Sequence, residues 1–299
     1  MDLAVESALR EAIMDWVRER AEVNGGFLHL HELQSHVLDG ERLRLVNPGG
    51  RGIWNPAGFS STLTITTSSS GPYDDVEGDD GLLHYAYEGD ESLDGSNRKL
   101  RAALATGQPL ILFRKEVANY YTPVMPVYVV DDYPEERSFI IALDEAFRFM
   151  GDVRDLAEPQ RAYARRLAKQ RLHQPAFRTR VLLAYDTRCT VCSLRHGALL
   201  DAAHIVPDGE PLGTPTTPNG LALCKIHHAA YDQNMLGVSP DYEVSINREV
   251  LAEVDGPMLR HGLQEMHGRV ITLPARRTDR PDRDLLAWRW ERFAEYHPS

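Results

Sequence analysis

The three cysteines of the chain all lie in one short stretch, and they constrain its fold more than any other feature. Cys189-x2-Cys192 forms one pair, and Cys224-x2-His227 forms a second. Paired ligands with a two-residue spacer can each bind a tetrahedral zinc ion from one turn of chain. A Cys3His site uses every cysteine and closes the coordination sphere, so we expect a structural Zn²⁺ ion that contributes folding free energy. Three cysteines exclude a disulfide framework, and a reducing cytoplasm is the expected compartment.

Three polar residues of the same region follow a second pattern. His204 follows a short strand-like run, Asn219 precedes another such run, and His228 begins a short helix. The order His, Asn, His is carried by the segments CTVC, LLDAAHIVP, NGLALC and KIHHAAYD. Together these segments resemble the HNH endonucleases, in their zinc-stapled subtype. The resemblance implies a ββα-metal fold for this part of the chain.

The resemblance also implies metal-dependent hydrolysis of a phosphodiester bond. That reaction needs an attacking water, a base for its proton and a cation on the phosphate. The resemblance assigns His204 as general base, Asn219 as the residue that orients it, and His228 as a ligand of a catalytic Mg²⁺ or Mn²⁺ ion. Asp232 lies one helical turn after His228 and is a candidate second ligand, with Asp201 as the alternative.

Two assignments in this region stay open. HNH enzymes often carry an acidic or histidine ligand immediately before the general base, and this chain has Ala203 there. The second protein ligand of the catalytic ion is therefore undecided. The two adjacent histidines also allow the reverse assignment, with His228 on zinc in place of His227.

A second resemblance lies in the first half of the chain. The pieces GPYDD, DDG, YAYEG and NRKLRAAL occur in that order within residues 71–104. They resemble the SRA domains that bind modified cytosine, which belong to the PUA-like β-barrel class. Residues 40–150 also contain several short β-rich runs separated by Gly, Pro and Asn/Asp turns, a pattern that favours a small barrel or sandwich.

The SRA resemblance implies a pocket for a base that is flipped out of the duplex. Such a pocket needs aromatic faces for stacking and an acceptor for the cytosine amine. Tyr73 and Tyr87 are the candidate faces and Asp75 is the candidate acceptor, with the adjacent Asp74 as its alternative. The competing interpretation is that the acidic run is a solvated turn and the tyrosines are ordinary strand residues.

Charge is distributed unevenly along the chain. The net charge of −11 argues against nucleic acid, but residues 154–188 hold nine basic and three acidic residues. Local charge determines phosphate contact, so this helical segment is expected to follow a DNA backbone; the alternative is a solvated helix face. Trp54, in the loop RGIWNP, is a candidate wedge between bases or a core residue. The candidate DNA-binding residues are Trp54, Arg51, Arg165, Arg166 and Lys169.

These features predict an α+β protein with two domains. Residues 1–153 are expected to form an SRA/PUA-like β-barrel domain that recognises modified DNA. It begins with a helix at 2–22, whose apolar residues recur at about 3.6-residue spacing, namely Leu3, Leu9, Ile13, Trp16 and Val17. Residues 154–180 are expected to be a basic helical linker, and residues 181–299 a zinc-stapled ββα-metal HNH endonuclease domain.

The predicted function is a modification-dependent DNA endonuclease of the restriction type, reading 5-methylcytosine or a related base. Such joining of reader and nuclease is the arrangement of type IV restriction enzymes, as the resemblance implies. One alternative is an HNH nuclease that reads unmodified DNA or another modification, and a second is a reader that does not cut.

The expected partner is double-stranded DNA, and cutting both strands favours a homodimer on the DNA. No apolar run approaches the roughly 20 residues that span a bilayer, and the acidic start of the chain lacks signal-peptide features. We therefore expect neither a membrane partner nor export.

Overall fold

The computed structural model describes residues 2–38, 40–68, 76–78, 80–89, 95–148 and 155–296. The chain divides into two compact units. Unit 1 comprises Met1–Glu22 and Gly26–Ala176, and unit 2 comprises Val23–Gly25 and Phe177–Ser299. The segment expected to be a linker at 154–180 is therefore shared between the units. Within the described ranges, every helix is too short or too polar to cross a bilayer.

Unit 1 combines a large sheet with flanking helices. In chain order its elements are α1 (Leu3–Asn24), β1 (Leu28–His29), α2 (Leu30–Ser35), β2 (Val37–Leu38), β3 (Glu41–Arg42), β4 (Ile53–Trp54), β5 (Thr64–Ser68), β6 (Val76–Glu77), β7 (Leu83–Ala86), α3 (Ser96–Thr106), β8 (Leu110–Val117), β9 (Tyr120–Tyr133), β10 (Ser138–Ala142), α4 (Glu158–Ala168) and α5 (Gln174–Ala184). A π-helical turn at Lys169–His173 joins α4 to α5, and α5 continues into unit 2.

In the part of unit 1 that the structure describes, the main sheet has eight strands and curls into a half-barrel. The strand order is β4-β5-β8-β9-β10-β7-β6, with β1 also paired to β9. Curling brings together strands that are distant in this order, since the hydroxyl of Tyr85 on β7 donates to the carbonyl of Thr66 on β5 at 3.3 Å. A Cβ atom at Gly52 would overlap the same hydroxyl, so any larger residue there would displace the Tyr85 side chain. This mixed architecture confirms the predicted α+β class.

The predicted apolar face of α1 lies on the core, with Ile13 and Val17 buried and Leu9 and Trp16 packed against them, except for its first residue. Leu3 is 49% exposed, whereas Glu6 and Arg10 are fully buried. The Arg10 guanidinium donates to the Glu6 carboxylate at 2.7 Å and to the carbonyl oxygens of Thr62 and Pro109 at 2.9 and 2.8 Å. A buried ion pair is tolerated when further hydrogen bonds satisfy both partners, and this one meets that condition.

The hydrogen bonds to Glu6 also determine how the pair responds to pH. Burial alone would raise the pKa of Glu6, but the bonds from Arg10 and from the Ser60 backbone hold that pKa below its ordinary value of 4.5. A carboxyl with a lowered folded pKa stabilises the fold above its unfolded pKa, and this contribution is lost as the pH falls through the folded value.

Unit 2 contains two β-hairpins and several short helices. In chain order its elements after α5 are β11 (Leu200–His204), β12 (Gly220–Cys224), α6 (Lys225–Asp232), β13 (Leu236–Val238), β14 (Val244–Ile246), α7 (Arg248–Ala252), α8 (Pro257–Gly262) and α9 (Arg283–Tyr296). Strands β11 and β12 pair antiparallel, from Leu200 opposite Cys224 to His204 opposite Gly220. Helix α6 begins directly after β12, which gives a ββα unit.

We predict that Arg10→Ala lowers the free energy of unfolding by roughly 3–5 kcal/mol, because it leaves a buried carboxylate without its donor. The measurement is urea unfolding at neutral pH. The matched control is Arg18→Ala, which removes an exposed ion pair with Asp15 on the same helix and should cost less than about 1 kcal/mol. Equal losses in the two variants would contradict the importance of the buried pair.

Candidate active site and metal centre

The ββα unit brings the predicted catalytic residues into one small part of unit 2. Strand β11 carries Asp201 and ends at His204, and Asn219 immediately precedes β12. Helix α6 carries His228 and, one turn later, Asp232. Residues that lie far apart in the sequence are thus held by two paired strands and one short helix.

The four predicted zinc ligands form a single cluster. Their ligand atoms all lie within 4.8 Å of one another, and the His227 Nδ1 atom is 3.4 Å from Cys189 Sγ and 3.1 Å from Cys224 Sγ. The edge of a tetrahedral zinc–sulfur site is about 3.8 Å, given Zn–S bonds of about 2.3 Å. This donor set, three thiols and one imidazole, therefore fits a tetrahedral ion.

Backbone geometry places the first cysteine pair against the hairpin. The turn after Cys192 has Ser193 in the left-handed region, at φ 62°, and the amide of Cys189 donates to Leu194 O at 3.0 Å. The amide of Thr190 donates to Ala222 O at 2.8 Å, which attaches the turn to β12. The cluster thus joins this turn to the junction of β12 and α6.

Of the two adjacent histidines, the structure places His227 in the cluster with the three cysteines. The His227 Nε2 donates to Gly262 O at 2.8 Å. Because a carbonyl can only accept, the proton is on Nε2 and Nδ1 is left as the ligand atom. The side chain of His228 contacts Asp201 and Asp232 instead.

His228 lies between two carboxylates. Its Nδ1 is 3.4 Å from Asp201 Oδ2 and its Nε2 is 3.4 Å from Asp232 Oδ2. The hydrogen bond to Asp201 raises the pKa of His228, against the opposing effect of desolvation. Both carboxylates named as candidate metal ligands are therefore next to His228, one at each ring nitrogen.

The two carboxylates differ in their surroundings. Asp201 accepts hydrogen bonds from Arg178 and, at 2.7 Å, from Lys225. Burial would raise the pKa of Asp201, but the bonds from His228, Lys225 and Arg178 hold it well below its usual range. Asp232, by contrast, has a side chain that is 58% exposed. Asp201 is thus an ionised group whose charge is balanced by two cations.

Asn219 is fully buried and braces the backbone. Its amide nitrogen donates to the carbonyls of Val206 and Thr214, each at 3.0 Å, and its oxygen accepts from the Val206 amide at 2.9 Å. Its own carbonyl accepts from Ile205 N at 2.9 Å. Asn219 therefore fixes the chain just after His204, and both of its amide donors are used on backbone carbonyls.

His204 packs against an aromatic ring from α5. The Phe177 and His204 ring centroids are 4.0 Å apart, with an interplanar angle of 15°. Sequence analysis missed Phe177, Arg178 and Lys225 as parts of this site. The basic character of the helical segment was visible in the sequence, but no local pattern connects α5 with the β11 strand.

The structure describes only one of the three predicted base-pocket residues, Tyr87. Tyr73 and Asp75, with the alternative Asp74, lie outside the described residues. Tyr87 is only 3% exposed, its ring centroid lies 4.8 Å from that of Phe139, and its hydroxyl donates to Asp132. Tyr87 is therefore a member of the hydrophobic core of unit 1.

The predicted DNA-binding residues lie at or near the surface of unit 1. Trp54 is half-buried and its indole N–H donates to Arg44 O at 2.7 Å, while Arg51 is exposed. The three cations on and after α4 are also exposed, namely Arg165, Arg166 and Lys169. Arg165 forms an ion pair with Glu158, and the Arg166 guanidinium lies 5.2 Å from the ring centroid of Tyr163.

Several solved structures are similar to this chain, and the three described here have TM-scores between 0.25 and 0.31. The structure described as "Modification dependent TagI restriction endonuclease" is 16% identical, with 84% of this chain and 86% of that chain covered and a TM-score of 0.31. The "SUVH5 SRA- methylated CHH DNA complex" is 19% identical over 40% and 86%, with a TM-score of 0.28. The "Type IV phosphorothioation-dependent restriction endonuclease ScoMcrA" is 17% identical over 62% and 51%, with a TM-score of 0.25.

Sequence comparison is more specific for one part of the chain. No curated protein gives a significant match. The family described as HNH endonuclease matches residues 189–239. This range begins at the first cysteine of the cluster and includes β11, β12 and α6. Residues 189–239 are therefore an HNH endonuclease domain, and the protein that contains them is an endonuclease.

Proposed function

We propose that this protein is a modification-dependent DNA endonuclease of the restriction type. In this proposal the HNH domain hydrolyses phosphodiester bonds of double-stranded DNA, and unit 1 binds DNA that carries 5-methylcytosine or a related base. The observation that carries the nuclease half is the geometry of the ββα unit, which positions His204 on a strand and His228 between two carboxylates. Cutting both strands with one site per chain favours two copies on the DNA, so we expect a homodimer there.

We propose Zn²⁺ as the ion of the four-donor cluster. Three thiolates and one imidazole are soft and borderline ligands, which favour zinc over the hard cations Mg²⁺ and Ca²⁺. The hydrogen bond from His227 to Gly262 O is the kind of outer contact that orients a metal-binding imidazole. With all four positions taken by protein atoms, the role of this ion is structural.

We propose His228 and Asp232 as the protein ligands of the catalytic ion, Mg²⁺ or Mn²⁺. Asp232 is the better second ligand because its carboxylate is exposed, whereas Asp201 is already bonded to Arg178 and Lys225. When bound, a divalent ion stabilises negative charge on the phosphate and the leaving oxygen. Asp201 then holds the other ring nitrogen of His228, which fixes the orientation of that imidazole.

His204 is proposed as the general base. Histidine is the side chain whose unperturbed proton affinity lies nearest neutrality, so this residue type suits proton abstraction from water at physiological pH. The backbone of His204 is held in strand β11. Asn219 makes three hydrogen bonds to Val206 and Thr214, and these hold the segment that follows His204. A base on a rigid strand keeps its geometry better than one on a mobile loop.

The reader function is supported by the order of SRA-like pieces and by the fold of unit 1. The piece NRKLRAAL lies in α3, beside the curled sheet, and YAYEG includes the end of β7. The exposed cations of α4 offer contacts to phosphates. The burial of Tyr87 against Phe139 favours a second candidate, a nuclease that reads another modification or unmodified DNA.

We predict one zinc ion per chain in the purified protein, measured by mass spectrometry of the metal content. Cys224→Ser should lose the ion and most of the stability of unit 2, because structural zinc sites in small domains contribute about 10–16 kcal/mol of apparent binding free energy. The matched control is His228→Ala, which should keep its zinc since His228 lies outside the cluster. Folded wild-type protein without stoichiometric zinc would refute the site.

We predict Mg²⁺- or Mn²⁺-dependent cleavage of plasmid DNA that carries modified cytosine. The substrates are matched plasmids with cytosine, 5-methylcytosine, 5-hydroxymethylcytosine or 6-methyladenine. His204→Ala should lower the cleavage rate by roughly 100- to 10,000-fold, the usual contribution of a general base, and leave DNA affinity unchanged. Equal cutting of all four plasmids would reject modified-base reading, and a cutting His204→Ala variant would reject the base assignment.

We predict that Asp232→Asn raises the Mg²⁺ concentration needed for half-maximal cleavage by about tenfold or more, as expected when a ligand carboxylate is lost. Asp201→Asn should cause a smaller shift, because Asp201 acts through His228. The surface control is Asp241→Asn, which removes only an exposed ion pair with Arg283. A larger shift for Asp201→Asn than for Asp232→Asn would make Asp201 the metal ligand.

A further inference from the structure

Phe177 lies outside residues 189–239, which match the HNH family, yet it makes the closest described ring contact of His204. The two rings are nearly parallel, and the Phe177 side chain is almost fully buried at 2% exposure. A buried ring in a packed helix has little freedom to move, so the face that it presents to His204 is fixed.

A fixed aromatic face of this kind can constrain the plane of the His204 ring. The final side-chain torsion of histidine has a broad energy profile, so a fixed backbone does not by itself fix the ring. Asn219 cannot supply the constraint through its N–H donors, since both donate to the backbone carbonyls of Val206 and Thr214. The flat contact with Phe177 restricts the imidazole to one plane.

The contact between α5 and the hairpin depends on a glycine. Gly220 is the residue of β12 that pairs with His204. A methyl group added at Gly220 would overlap Val181 Cγ2 and lie 3.0 Å from Phe177 Cζ. Helix α5 can therefore place Phe177 over His204 only because position 220 has no side chain.

We propose that Phe177 is a positioning residue for catalysis, which orients the general base His204 by packing flat against its imidazole. This inference rests on the proposed role of His204. Phe177 does not contact the reacting atoms; it restricts the plane in which the imidazole nitrogens lie. Gly220 supports the same arrangement by admitting the Phe177 ring.

The test compares two buried phenylalanines in the full-length protein. Phe177→Leu keeps an apolar side chain but removes the flat face. The matched control is Phe293→Leu, since Phe293 is also buried in unit 2 and also covers a strand glycine, Gly237. Single-turnover cleavage of 5-methylcytosine plasmid with Mn²⁺, plasmid affinity, zinc content and thermal unfolding are measured for both variants.

We expect Phe177→Leu to slow cleavage by roughly 10- to 100-fold, the usual cost of a misplaced catalytic group, with plasmid affinity and zinc content unchanged. Phe293→Leu should cleave at the wild-type rate even if its unfolding temperature falls as much. Wild-type cleavage by Phe177→Leu, or equal slowing in both variants, would overturn the proposal.

A spectroscopic measurement tests the ring contact without relying on cleavage. In protein labelled with ¹³C at histidine, the His204 ring signals are assigned with His204→Ala and should show the ring-current shift of a stacked phenyl group. That shift should disappear in Phe177→Leu and persist in Phe293→Leu, and unchanged signals in Phe177→Leu would overturn the stack. If His204→Ala cleaves DNA normally, His204 is not the general base, and the inference about Phe177 is rejected as well. If His204→Ala is inactive while Phe177→Leu is fully active, only the inference about Phe177 is rejected.

Discussion

The convergence of three cysteines and His227 on one point is the constraint on which the proposed nuclease site depends. Cys224 ends β12 and His227 lies in the first turn of α6, so the cluster determines how the helix leaves the strand. Successive residues of a helix point about 100° apart, so fixing His227 on the cluster turns His228 toward a different side. That side is occupied by Asp201 and Asp232, and the proposed structural and catalytic groups are thereby separated on adjacent residues.

Buried polar groups stabilise both units in a similar way. Arg10 in unit 1 and Asn219 in unit 2 are fully buried, and each uses its donors on backbone carbonyls of other segments. A buried polar group that is fully hydrogen-bonded rigidifies its surroundings, while a partly satisfied one is costly. In unit 2 this rigidity serves the site, since the segment that Asn219 braces follows directly after His204.

The proposed active site is built on strands and helices, with orientation supplied by neighbours that do not react. Asp201 contacts one ring nitrogen of His228, and Arg178 and Lys225 in turn hold Asp201. Phe177 plays the corresponding part for the other imidazole, that of His204. Supporting residues of this kind hold catalytic geometry within the narrow limits that rate enhancement requires.

The sequence by itself determined the ligand cluster and the HNH pattern, because both depend on short spacings: a Cys-x2-Cys turn and a Cys-x2-His junction bring their own residues together. It also determined the α+β class through local periodicity. Only the tertiary structure decided which surfaces pack together. It buried Arg10 while leaving Leu3 exposed, and it placed Tyr87 in the core. It also stacked Phe177 on His204. Each of these outcomes depends on contacts between segments distant in the chain, which local spacing does not encode.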